Sequence, residues 1–271
     1  MKRYEQRKIP LLRILPYGQP GTGKTGFCGT FDQDERTART LFLNAAGNPI
    51  RIMKQEPAPI VLDIESIKDF NLVYSFISGG QNKEHKFREL YEIEPEITFK
   101  TVVIDTITEV QRMINLDLMG IGMANFNEEA VMRIQDWGTS LTKVINLVNL
   151  FYSLPVHVII TAQERAEIDD ATSRINYKPY LQGQAVDIAP AYAEIIGRMR
   201  RMIRGPQTGS PAIAEEASTD SDIVTVMYFE SAGKYMAKNQ VDLRIGKHMA
   251  NPSATKILDL ISTDNSATKG D

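Results

Sequence analysis

Residues 18–25 read Gly-Gln-Pro-Gly-Thr-Gly-Lys-Thr, the G-x-x-x-x-G-K-T pattern of a phosphate-binding loop. The pattern works in one setting: a strand delivers the chain to the loop and a helix begins where the loop ends. Both flanks comply. Leu11-Leu12-Arg13-Ile14-Leu15 reads as a short, mostly apolar strand, and residues 26–30 can begin a helix. Glycines let the backbone wrap an anion, so that N–H groups and the positive helix end meet a β-phosphate. Lys24 is then placed to reach the β- and γ-phosphates, and the Thr25 hydroxyl to hold Mg²⁺. The expected nucleotide-binding set is Gly18, Gln19, Pro20, Gly21, Thr22, Gly23, Lys24, Thr25 and Gly26, with ATP and Mg²⁺ as ligands.

A loop of this kind needs a sheet behind it, and the rest of the chain supplies candidates. Apolar, β-branched runs at 11–16, 60–63, 101–105 and 156–161 alternate with helical stretches, the mark of an α/β fold with parallel strands buried on both faces. Between the third and fourth runs, Val131, Ile134, Leu141, Val144, Ile145, Val148 and Phe151 recur at helical spacing within 128–152, and Pro155 closes the helix. The last third changes character. Residues 194–203, 223–230 and 235–238 read as antiparallel strands, 205–222 as a polar loop, about 252–262 as a helix, and 263–271 as a tail without core-forming residues. One domain over 1–262 is expected, without internal repeats. The stretch Leu41-Phe42-Leu43-Asn44 receives no role.

Composition narrows the classes. With 271 residues, 42% of them hydrophobic, the chain can bury a sizeable core. A net charge of −3 gives no global basic field, so any nucleic-acid contact must come from local patches. The single Cys28 excludes an internal disulfide, and His85, His157 and His248 lie far apart without cysteine partners, which argues against a zinc site. No apolar run approaches the eighteen residues of a membrane span and no signal peptide is apparent, so a cytoplasmic protein is expected.

Hydrolysis would need more than the loop. Asp105 closes the apolar run Val102-Val103-Ile104, where a Walker B aspartate holds Mg²⁺ through water; the alternative is an Asp capping the next helix. Thr106 follows, so the glutamate that directly follows this aspartate in many AAA+ ATPases is missing here. A strand ending in D-x-E between the phosphate loop and the Walker B strand resembles the RecA-type ATPases, and Asp63-Ile64-Glu65 carries that pattern. The resemblance implies that Glu65 polarises the attacking water, with helix capping by Asp63 or Glu65 as the alternative.

In the same class a polar residue after the next strand contacts the γ-phosphate and passes nucleotide state to a DNA-binding loop, which implies that role for Gln163. The strand order of the class puts that strand between the phosphate-loop and Walker B strands, and ligands sit at the carboxyl ends of such sheets. Lys238 matches the lysine of a K-x-R pair that RecA-like oligomers extend into a neighbour's site, although Gln240 replaces the arginine. A solvent-facing lysine is the alternative. The order of these elements, with Tyr177-Lys178-Pro179-Tyr180-Leu181-Gln182-Gly183 and the compact late strands, is similar to small RecA-like ATPases of bacteriophages associated with single-strand annealing and recombination. Over about 10–262 the resemblance implies an α/β, RecA-like P-loop NTPase. Its central, mostly parallel sheet would be flanked by helices and carry a C-terminal antiparallel β extension. It also implies single-stranded DNA as partner and assembly into a filament or ring.

The DNA loop implied by the resemblance is 164–185, with Arg165, Arg174 and Lys178 for phosphates and Tyr177 and Tyr180 for stacking. Glu164, Glu167, Asp169 and Asp170 offset its charge. Arg198, Arg200, Arg201 and Arg204 form a second cluster that suits a phosphate backbone, ion pairs with a neighbouring subunit, or a solvated face. Two other classes stay open: a nucleotide-driven switch or loader acting on a protein, and a kinase with an arginine-rich lid.

Overall fold

The computed structural model describes residues 10–47, 49–79, 81, 85–121, 131–169, 173–203 and 223–262. In chain order the elements are β1 (Arg13–Gly18), α1 (Lys24–Gly29), β2 (Thr40–Asn44), α2 (Ile50–Met53), β3 (Ile60–Asp63), α3 (Ile67–Ser78), α4 (His85–Leu90), β4 (Thr101–Asp105), α5 (Ile107–Leu118) and α6 (Ile134–Tyr152). There follow β5 (His157–Ile160), β6 (Ala162–Asp169), β7 (Arg174–Pro179), α7 (Ala185–Ile188), β8 (Ile195–Ile203), β9 (Ile223–Tyr228), β10 (Lys238–Asn239), β11 (His248–Ala250) and α8 (Ala254–Ser262).

One sheet organises them, in the order β11-β9-β8-β1-β5-β4-β2-β3. The six strands from β8 to β3 run parallel, while β9, β10 and β11 add antiparallel pairings. The expected class therefore holds: a mostly parallel sheet between helices, with an antiparallel extension late in the chain. Side chains of the central strands alternate between two cores. Leu15, Tyr17, Leu41, Leu43, Val102, Ile104, Val158 and Ile160 face α3, α5 and α6. Leu12, Ile14, Phe42, Val103 and Ile159 face α1, α2 and α8. Strands covered on both faces need apolar residues at every position, which explains their unbroken runs.

Three readings change. The unassigned stretch 41–44 is a strand, and it lies between β3 and β4: Asn44 pairs with Asp63 on one side and with Asp105 on the other. The strand at 60–63 is thus separated by β2 from the strand that ends in Asp105. Likewise the region 164–185 begins as a β-hairpin: β6 pairs with β7 from Glu164↔Pro179 to Asp169↔Arg174. The helix read over 128–152 begins at Ile134, after the irregular residues 131–133, with 128–130 outside the described residues; Val131 and Ile134, two of the residues read at helical spacing, are exposed. The segments 205–222 and 263–271 lie outside the described residues, as does Arg204. No helix among the described residues is long and apolar enough to cross a membrane.

Candidate nucleotide site

The loop takes its shape from two left-handed glycines, Gly21 at φ 78° and Gly23 at φ 93°, a conformation L side chains resist. A third constraint is crowding. A Cβ at Gly18 would sit 2.4 Å from the Met199 carbonyl oxygen and 2.8 Å from Thr22 Oγ1, so only glycine fits where β1 enters the loop. Lys24 is buried and folded against the loop. Its Nζ donates to the carbonyls of Gly18 (2.8 Å) and Gln19 (3.0 Å) and to Gln163 Oε1 (3.1 Å). Burial lowers its pKa, and the negative charges of Asp105 and Glu164 oppose that shift.

Parallel pairing brings the carboxyl ends of β1, β4 and β5 and the start of β6 to one edge. There Thr25 Oγ1 donates to Asp105 Oδ2 at 2.6 Å, and Thr161 Oγ1 donates to Asp105 Oδ1. The cap of α5 is the neighbouring Thr106, whose side chain accepts from Glu109 N–H, so Asp105 faces the loop. A hydroxyl and a carboxylate oxygen this close form the hard-oxygen donor set that Mg²⁺ takes, and Thr25 with Asp105 fits that ion.

Gln163 stands one residue along β6 from the edge. Besides accepting from Lys24, it donates its N–H to Thr108 Oγ1 (3.0 Å), and its carbonyl accepts from Tyr180 N–H (2.6 Å). The Thr108 hydroxyl in turn donates to the Tyr180 carbonyl (2.9 Å). One side chain thereby touches the phosphate loop while its backbone holds the end of the hairpin.

Glu65 is not brought to this cluster. It is exposed beyond β3, with its N–H donating to Asp69 Oδ2, and β2 intervenes. Adjacent strands are about 4.8 Å apart, so β3 runs roughly 10 Å from β4. The strand beside Asp105 ends instead in Asn44-Ala45-Ala46, and the Asn44 amide is engaged by Asp63 Oδ1 (2.6 Å) and the Gly47 carbonyl (3.0 Å).

The loop, the buried Asp105 and Gln163 thus stand together at one edge of the sheet. A family model described as "AAA domain" matches residues 11–241. The chain belongs to the AAA domain family. A search of curated proteins finds no similar sequence. A crystal structure of the RadB recombinase is similar at 10% identity and a TM-score of 0.38, covering 80% of this chain and 79% of that one.

The remaining expected site residues of this AAA domain lie away from the loop. Lys238 is half-buried and donates to the Ala191 carbonyl at 3.1 Å, at the start of β8 and not beside this chain's own loop. On the hairpin, Arg165 pairs with Glu167, and Lys178 lies 3.4 Å from Glu167 and 3.3 Å from Asp187. Tyr180 is exposed and so is Arg174, but Tyr177 is half-buried with the Arg198 guanidinium 3.7 Å over its ring. Arg198, read from sequence within a solvent or DNA-facing cluster, is buried and paired bidentately with Glu164 at 2.7 and 3.2 Å. Of that cluster Arg200 is half-buried and Arg201 exposed. Sequence reasoning also missed Thr108 and Thr161. Threonine is too common at strand ends and helix starts to stand out before the fold sets Thr161 against Asp105 and Thr108 against Gln163.

Proposed function

We propose that this AAA domain binds ATP with Mg²⁺ at Gly18–Gly26 and hydrolyses it, coupling nucleotide state to single-stranded DNA held by the β6–β7 hairpin, in phage-type recombination or annealing. The bond from Lys24 Nζ to Gln163 Oε1 carries this reading, because it joins the phosphate loop to the strand that becomes the hairpin. A γ-phosphate would compete for Lys24 and so for Gln163. Arg174 and Tyr180 are the hairpin groups most open to a strand of DNA, whereas Arg165 and Lys178 would first have to leave carboxylate partners. Lys238, if it meets a phosphate, meets one in a neighbouring copy of a ring or filament. Glu65 would activate water only after crossing the width of β2.

The experiment is the ATPase rate with and without single-stranded DNA across a salt series. Stimulation that fades as salt rises supports the reading, because phosphate contacts release counterions. Lys24→Ala should abolish both nucleotide binding and turnover. Turnover that survives this change refutes the assignment of the loop.

A second reading, a nucleotide-dependent switch or loader acting on a protein, is favoured by one observation. The strand beside Asp105 ends in amide and methyl groups where a water-activating carboxylate would stand. It predicts nucleotide binding with slow turnover and no response to DNA.

A further inference from the structure

We infer that Glu164 and Arg198 are positioning residues that transmit occupancy of the phosphate loop to the β6–β7 hairpin. This rests on the nucleotide-binding reading above and says which side chains carry the signal.

Geometry singles the pair out. β1 lies between β6 and β8, with Tyr17 opposite Ala162 on one side and Arg198 on the other. At Gly18, β1 turns into the loop, while β6 and β8 run on. The Glu164–Arg198 pair bridges the gap that opens there, at 2.7 Å, with side chains 4% and 5% exposed. Glu164 directly follows Gln163, the residue bonded to Lys24. Beyond Glu164, the Arg198 guanidinium lies 3.7 Å over Tyr177 of β7 and 5.2 Å from the ring of Tyr235. The Tyr17 hydroxyl donates to the carbonyls of Tyr177 and Met236, tying the same strands to the end of β1. A continuous path therefore runs Lys24–Gln163–Glu164–Arg198–Tyr177.

Two buried charges are an inefficient way to add stability, since an apolar pair of the same shape does as well. What they supply is a fixed, directional connection. When a γ-phosphate draws Lys24 from Gln163, β6 shifts; Glu164 moves with it, and Arg198 passes the shift to Tyr177. Without the pair, the movement at Gln163 is absorbed in the gap between β6 and β8.

The test uses the full chain with the non-hydrolysable analogue AMP-PNP and Mg²⁺. Affinity is measured by displacement of a fluorescent nucleotide, and hydrogen exchange is followed in peptides covering 162–169 and 174–181. In the wild type the analogue should change hairpin exchange about fivefold or more, the lower end of typical coupling. The double variant Glu164→Leu/Arg198→Met should bind the analogue within about threefold of wild type, with a hairpin that no longer responds. If that variant does not fold, Tyr177→Leu decides: it keeps the ion pair, removes the ring beneath Arg198, and should at least halve the response. A double variant, or in its place Tyr177→Leu, whose hairpin responds as the wild type does overturns the inference. So does a wild type that binds the analogue with unchanged hairpin exchange, a result that leaves the nucleotide reading standing. A wild type that binds no analogue overturns both.

Discussion

The Glu164–Arg198 pair makes a quantitative prediction about stability that is independent of any ligand. Both side chains are almost fully buried and meet through two hydrogen bonds. Replacing Arg198 alone with methionine strands a carboxylate in the interior, which costs about 3–5 kcal/mol. It also removes the cation from the face of Tyr177, worth about 1–2 kcal/mol when desolvated. Glu164→Leu alone strands the guanidinium at a similar cost of about 3–5 kcal/mol. The double variant should return to within about 1–2 kcal/mol of wild type, because apolar side chains of similar volume fill the same gap. The coupling energy is then at least about 5 kcal/mol, well above the roughly 0.5 kcal/mol scatter of independent sites. For a chain of this size each kcal/mol moves the melting temperature by about 2–4 °C, so each single variant should melt roughly 10 °C lower. Urea unfolding followed by far-ultraviolet circular dichroism reads all four proteins. Single variants that cost less than about 1 kcal/mol, the range of a surface pair, would refute the claim that these charges are buried and interdependent.

Three further outcomes follow from the site and its surroundings. If Glu65 activates water, Glu65→Gln should slow turnover about 10²–10⁴-fold with nucleotide affinity retained, whereas under the switch reading it changes nothing and Ala46→Glu raises the rate; single-turnover phosphate release separates the two. Gly18→Ala forces a Cβ against the Met199 carbonyl and should cost about 1–3 kcal/mol in urea unfolding; an unchanged midpoint would show that the loop entrance is not crowded. The Arg36 guanidinium, bonded to Asp34, holds that carboxyl down at about 2, so its contribution to stability is complete above the ordinary carboxylate range and is lost as pH falls from about 4 towards 2. Asp34→Asn should flatten the acid limb of the stability–pH curve over that interval, and an unaltered limb would mean the pair is open to solvent.

The positions of the loop, Asp105 and Gln163 were legible in the sequence because each closes or closely follows a strand buried on both faces, and such strands are continuous apolar runs. The apolar run of β2 was equally visible, but order along the chain does not state which parallel strands are neighbours. β2 precedes β3 in sequence yet inserts between β3 and β4, and that one crossover separates Glu65 from Asp105. The hairpin was hidden for a different reason. From Glu164 to Asp169 the chain is dominated by charged residues, and its strand character comes from pairing with β7 and not from apolar burial. Arg198 was misread for the same reason. Four arginines in one segment resemble a surface patch until register places one of them across from Tyr17, facing Glu164.

The insertion of β2 bears on how binding and hydrolysis relate in this site. In the proposed site Lys24, Thr25 and Asp105 would meet the phosphates and the metal, and all three are within hydrogen-bond reach of another member of the cluster. Beside Asp105, β2 ends at Asn44 and leads into Ala45 and Ala46. An amide already engaged by Asp63, together with two methyl groups, neither orients water nor takes its proton. On the proposed reading, nucleotide occupancy and nucleotide turnover would therefore be governed by different strands. A carboxylate that joins the site later, from Glu65 across β2 or from a neighbouring copy, would control the rate without being needed for affinity. Until it arrived, the lifetime of a nucleotide-bound state, and with it the position of Gln163, would be set by how slowly the site hydrolyses unaided.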